Sequence, residues 1–386
     1  LELELFTRVD DRARPSLDQL LQALAAVVLP AQGRISFEPG GAVEISTLPH
    51  LSVDQACDGL LRDLAVVDAA LTRAGIRTSV DAIDLQRDPC RVVGHPRYRH
   101  MEAQFDSYSP AGRWMMSNTA SLQVNINNCV DNPLHQWNTL WWVSPILTAM
   151  FANSPGLDSL GREWRSLRQG CWLALDPART GPVWPERGVD GYADFALGAP
   201  VLVIRGAGIG EDEGPPATPW RRAPSRMSFS DWIADSRLVG RAATDDDFAY
   251  HLTTLFPDIR PRRWMEIRCI DSVDIGHIDA VATMVAGVSQ ASSACRISDV
   301  VPHVSPVRAA MTGVRDPEIA AACNRLAGLA IEAAADVPGA RPDALASFVE
   351  RYTHRRRSPG SDRMPIQRSS PDLSRAPMLG LVCGDL

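Results

Sequence analysis

The chain has 386 residues and a formal net charge of −7, and all 39 of its basic Lys/Arg positions are arginine. Without a lysine there is no Schiff-base or pyridoxal-phosphate chemistry, no Walker-type phosphate loop and no protein-kinase strand lysine. Any phosphate handled here must meet arginine, backbone amides or metal ions. The acidic balance speaks against nucleic acid as a partner, because a phosphate backbone needs a basic face. The most apolar stretch, Leu140–Phe151, is too short to span a bilayer and contains Pro145, so no membrane association is expected. Eight cysteines show no C-x-x-C pair and read as reduced thiols of a cytoplasmic protein. The first residue is Leu rather than Met, so the native chain is expected to begin upstream.

Residues 1–9 alternate strictly between apolar and polar and predict a strand. Pro15 to Leu29 reads as a helix capped by Ser16. Arg34 to Thr47 reads as two short strands joined by Pro39-Gly40-Gly41, and Ser52 to Gly75 as a helix. Residues 94–116 read as a loop and a short helix, Ser121–Asn127 as a strand, and Asn132–Phe151 as an apolar helix. Residues 199–205 predict a buried strand running into the loop Gly206–Pro216, whose glycines lack the spacing of a dinucleotide fingerprint. Asp245–Phe256 reads as a helix, Arg263–Ile270 as a strand, and 279–351 as mainly Ala-rich helix. Scattered strands without a βαβ rhythm predict an α+β fold, a mostly antiparallel sheet with helices packed on its outer side. The organisation expected is one catalytic domain over 1–386: a sheet-based core over 1–272, a helical part over 273–357 and a loosely ordered tail over 358–386.

Strand side chains alternate, so residues i and i+2 share a face. Glu2 and Glu4, then Glu44 and Ser46, then Gln123, Asn125 and Asn127, and finally Glu266 and Arg268 each share one, opposite apolar neighbours. Glu, Gln and Asn are poor strand formers, and their recurrence on one face points to a site. Glu2, Glu4, Glu44 and Glu266, with Glu38 before the Pro-Gly-Gly turn, supply five carboxylates. Like charges ~4 Å apart repel by ~4 kcal/mol at an effective dielectric near 20, so such a cluster demands cations. Oxygen ligands without thiol or imidazole suit Mg²⁺ or Mn²⁺.

The strings carrying these residues resemble those of the glutamate–cysteine ligases of the plant and bacterial type (family 2). Phe37-Glu38-Pro39-Gly40-Gly41-Ala42-Val43-Glu44-Ile45-Ser46 resembles EPGGQxELS, with Ala42 replacing the Gln. Arg97 to Met101, Met115-Met116 and Thr119 to Asn125 are similar to the RYxxM, MM and TxQVN blocks. Asp176 to Gly181 with Tyr192 to Leu197 resembles DxxRxG…YxDYAL, and His251 to Arg268 resembles HLTTLFPxxRxxRYLEMR. Within the family the similarity is greatest to the ergothioneine-pathway members, and the lysine-free, Arg/Ala-rich composition fits a high-GC bacterial source.

The resemblance implies a curved, glutamine-synthetase-like sheet and ATP-dependent formation of γ-glutamylcysteine from L-glutamate and L-cysteine, with Mg²⁺ or Mn²⁺, by a monomer or weak homodimer. Carried over, Glu2, Glu4, Glu38, Glu44, Glu266 and Gln123 are candidate metal ligands. Arg268, Gln123 and Asn125 are candidate ATP contacts, and Arg268 and Glu266 candidate catalytic residues. Arg97, Arg179 and Tyr192 are candidate substrate contacts. A carboxylate–amine ligase with another amine acceptor, and a silent binding homologue, are the alternatives.

Overall fold

The computed structural model describes residues 1–10, 12–107, 109–181, 183, 188–205, 220–294, 297–363 and 367–374. Its main sheet contains β1 (Glu2–Arg8), β2 (Arg34–Phe37), β3 (Val43–Ser46), β4 (Arg77–Ser79), β5 (Leu122–Asn127), β6 (Ile259–Pro261) and β7 (Trp264–Ile267). The order is β6-β7-β5-β1-β3-β2, with β4 pairing the far end of β1. Every pairing is antiparallel. With its helices this is the α+β architecture that the alternation predicts.

The register decides what each face carries. Glu4 lies opposite Glu44 and Glu2 opposite Ser46; Glu2 is also opposite Gln123. Asn125 lies opposite Glu266, Glu266 opposite Arg260 and Ser36 opposite Glu44. Directly opposed residues share a face, so these polar groups form one continuous surface. The reverse face carries Leu3, Leu5, Val43, Ile45, Leu122, Val124, Met265 and Ile267, all buried in the main core.

That apolar face is closed by α2 (Val53–Arg73), α5 (Pro133–Met150) and α8 (Ile278–Ala294), with α9 (Pro317–Ala333) and α10 (Pro342–Arg351) packed behind them. On the polar side, α3 (Pro96–Asp106), α4 (Ala111–Asn118) and α6 (Leu167–Leu173) enclose a second core around Phe105, Trp114 and Trp164. The first helix, α1 (Leu17–Leu24), stops short of the expected Leu29, and the helix α7 (Asp245–Leu252) ends before Phe256. Strands β4 and β6 are too short for their alternation to be read. Val203–Ile204 forms a two-residue strand with Arg221–Arg222, while the glycine-rich loop that follows lies outside the described residues.

Within the tail expected to be loosely ordered, residues 367–374 make defined contacts. Backbone N–H groups of Arg368 and Ser369 donate to Leu85 O at 2.9 and 3.1 Å. Leu373 is fully buried in the second core, where Gly170 leaves room: a Cβ there would come within 2.7 Å of Leu373 Cδ1. A Pro/Ser/Arg-rich composition hides the one leucine that anchors it. Among the described residues no helix is long and apolar enough to cross a membrane.

Candidate active site

Over the polar face lies a cavity of about 300 Å³, lined at one end by Glu2, Glu4, Glu38 and Glu44 and at the other by Arg260, Arg262, Glu266 and Arg268. Strand register delivers Glu4 and Glu44; a turn delivers Glu38. Gly41 N donates to Glu38 O at 2.8 Å, closing a β-turn with Pro39 at its second position, and Gly41 adopts φ +83°, which glycine adopts without strain. One carboxylate oxygen from each of Glu4, Glu38 and Glu44 can be chosen so that all lie within 4.8 Å of one another.

Two of these acids, Glu4 and Glu44, are held by hydrogen bonds. Ser121 donates to Glu4 from N (2.7 Å) and Oγ (3.0 Å), and Gln123 Nε2 donates to Glu4 Oε1 at 3.2 Å. Ser36 and Ser46 both donate to Glu44 Oε1, at 2.7 and 3.2 Å. Burial drives all three carboxyl pKa values up. For Glu4, Arg168 and Ser121 partly offset the rise. For Glu38, Glu4 and Glu44 add repulsion that leaves it well above the usual carboxylate range. Glu44 is pushed to about 7 by burial, then by Glu4 and Glu2. Three acids strained in this way fit a divalent cation, which would supply the missing positive charge.

The opposite end is basic. Glu266 accepts from Arg260 Nε at 2.9 Å, pairs with Arg262 at 3.3 Å and contacts Arg268 Nη1 closely. Burial alone would raise its pKa, but Arg268 and Arg260 outweigh burial and hold it at about 2. Glu266, expected as a metal ligand, thus anchors three guanidiniums, because β6 and β7 bring Arg260 directly opposite it. Arg268 also packs against the Trp172 ring at 5.7 Å.

Other expected residues divide. Arg97 lines the cavity and donates from Nη1 to Thr253 Oγ1 at 2.7 Å. Gln123 lies between the two ends. Asn125 shares the polar face without lining the cavity, donating from Nδ2 to Glu2 Oε1 at 2.8 Å while its buried Oδ1 has no hydrogen-bond partner among the described residues. Arg179 does not line the cavity. It is fully buried and donates to Thr254 O at 2.7 Å and to Pro200 O, joining the segments after α7 and before Val201. Tyr192 also lies off the cavity, edge-on to Trp137 at 5.8 Å. The sequence singled out neither Arg260, Arg262 and Trp172 nor Tyr98, which all line the cavity. Ala42, which takes the place of the motif's Gln, is buried in a small cluster with Phe6 and Ala120.

Residues 1–352 match glutamate–cysteine ligase family 2. The chain belongs to this family. It is 36% identical over 347 residues to "Glutamate–cysteine ligase EgtA" of Mycobacterium tuberculosis strain H37Rv, covering 86% of this chain and 77% of that protein. The Mycolicibacterium smegmatis protein of the same name is 36% identical over 380 residues, 94% of this chain and 85% of its own length. A chloroplastic glutamate–cysteine ligase of Medicago truncatula is 30% identical over 252 residues, 61% of this chain and 46% of that protein.

Proposed function

We propose that the protein is an ATP- and Mg²⁺-dependent glutamate–cysteine ligase that makes γ-glutamylcysteine for ergothioneine synthesis, on a glutamine-synthetase-like sheet. The observation that carries this reading is one cavity holding three mutually close carboxylates at one end and three arginines gathered on a single carboxylate at the other. Such a pairing suits phosphoryl transfer, which is chiefly a matter of positioning and charge.

Glutamate's γ-carboxylate oxygen attacks the terminal phosphorus of ATP and ADP departs, leaving an acyl phosphate. The cysteine amine then forms the amide bond at the acyl carbon, losing a proton as inorganic phosphate leaves. Glu4, Glu38 and Glu44 would hold Mg²⁺ or Mn²⁺, flanked by Glu2 and Gln123; bound there, the ion would neutralise phosphate oxygens. Arg268, Arg260 and Arg262 face the transferring phosphoryl group, their guanidinium forks matched to its oxygens. Arg97 offers a guanidinium to a glutamate carboxylate. Phosphate release with ATP, Mg²⁺ and glutamate, measured with cysteine and with other amines, tests the reading. Release that requires cysteine supports it. Dependence on a different amine replaces the acceptor, and no release with any amine leaves a silent homologue.

A further inference from the structure

The turn bearing Glu38 is held from behind by a residue outside the cavity. Arg14 Nη1 donates both to Gly40 O and to Ser117 O at 3.1 Å, and its Nη2 donates to Asn118 Oδ1 at 2.8 Å. Gly40 is seated directly on the end of α4, since a Cβ at position 40 would lie 2.2 Å from Ser117 O. Ser117 O is a last-turn carbonyl at the negative end of a helix. Both carbonyls accept from the same nitrogen, so one planar guanidinium serves the turn and the helix end at once. From α4 the chain continues through Thr119 to Ser121, the residue whose N and Oγ hold Glu4. One side chain therefore joins the turn that delivers Glu38 to the segment that leads into Ser121, the residue that hydrogen-bonds Glu4.

We propose that Arg14 is a positioning residue for the metal-binding carboxylates, fixing the Glu38 turn relative to Glu4. This rests on the reading that these acids bind a divalent cation. Arg14 also borders a separate cavity of about 620 Å³, through which a small cation can reach the place of a truncated side chain.

The test is binding of Mn²⁺ alone to the whole protein, followed by calorimetry and by electron paramagnetic resonance. Arg14→Ala is expected to weaken Mn²⁺ binding about 10- to 100-fold, the usual effect of losing an outer-shell partner. Millimolar guanidinium should restore most of that loss, which a general loss of stability would not allow. Should Arg14→Ala fail to fold, Arg14→Lys attacks the same contact more mildly and is expected to weaken binding in the same direction. In a Glu38→Gln background, Arg14→Lys should add little, because partners acting through one group are not additive. Unchanged Mn²⁺ affinity in folded Arg14→Lys, or full additivity with Glu38→Gln, overturns the proposal. Wild-type affinity in Glu38→Gln alone would instead remove the metal reading on which it stands.

Discussion

Arg268 donates from Nη1 to Gln123 Oε1 at 2.9 Å, while the amide nitrogen of the same glutamine donates to Glu4 Oε1 at 3.2 Å. The basic and acidic ends of the cavity thus meet at one amide whose orientation is fixed by its two neighbours. Gln123→Leu keeps the approximate volume and removes both bonds. Hydrogen bonds to charged groups are worth about 1.5–3 kcal/mol, so kcat/KM should fall about 10- to 100-fold. Steady-state kinetics check this, and a rate within twofold of wild type would show that the bridge does not matter.

Glu266 and Glu44 should respond oppositely to neutralisation. Glu266→Gln leaves three arginines around a neutral group, and breaking a buried pair typically costs about 3–5 kcal/mol. Turnover should be lost and the urea midpoint lowered. Glu44→Gln also removes turnover, but it relieves repulsion among close acids, so the metal-free protein should melt higher at pH 8. Equal destabilisation of both variants would contradict the division of the cavity into acidic and basic ends.

The acid cluster sets a pH dependence with a definite sign. Glu4, Glu38 and Glu44 have folded-state pKa values above the usual range, Glu44 at about 7. The folded protein therefore holds these protons more tightly than the unfolded chain, and metal-free stability falls as pH rises from the ordinary carboxylate pKa of about 4.3 through about 7. Glu266, held at about 2, acts the other way: its contribution is present above the ordinary carboxylate pKa and is lost as pH falls toward 2. Melting of the metal-free protein should be higher at pH 5 than at pH 8, and saturating Mg²⁺ should narrow the gap. Metal binding at pH 7 should release protons, which calorimetry in buffers of different ionisation enthalpy detects.

Arg179 and Tyr192 are expected to behave as structural residues. Tyr192→Phe should leave the KM for glutamate within about twofold, since removing a group that makes no substrate contact removes no binding energy. Arg179→Met should lower stability by about 1.5–3 kcal/mol or more, the usual worth of a hydrogen bond to a charged group, while folded protein keeps its KM. A selective rise in the glutamate KM for either variant would return that residue to the substrate site.

Leu373→Ala should cost about 2–5 kcal/mol, as for other buried leucines, although it lies in a segment whose composition reads as disordered. A denaturation curve superimposable on wild type would show the strap to be dispensable.

What the sequence made legible follows from periodicity. Glu2, Glu4, Glu44, Gln123, Asn125 and Glu266 stand at alternate positions in strands, and the antiparallel register places them on one face. Alternation says which residues share a face, but not which of them meet. Arg260 fills the first arginine of the HLTTLFPxxRxxRYLEMR resemblance, but β6 is three residues long, too short for a period to place it on the polar face. Arg14 and Trp172 come from a loop and a helix whose positions depend on tertiary packing alone. Arg179 and Tyr192 were singled out by motif resemblance, and neither belongs to a strand whose face could be checked. Family similarity carries residue identity, whereas the side chain's direction is set by the fold around it.

Strand β1 lies between β3 and β5 in the sheet, and this order has a consequence during synthesis. Glu2, Glu4, Glu38 and Glu44 leave the ribosome within one short stretch, but Gln123 follows later and Arg260, Arg262 and Arg268 later still. At about 5–20 residues per second, roughly 10–45 s separate the acidic half from these arginines. During that interval the acidic half has only the arginines of its own stretch, among them Arg8, Arg14 and Arg34, and none of the guanidiniums that line the basic end of the cavity.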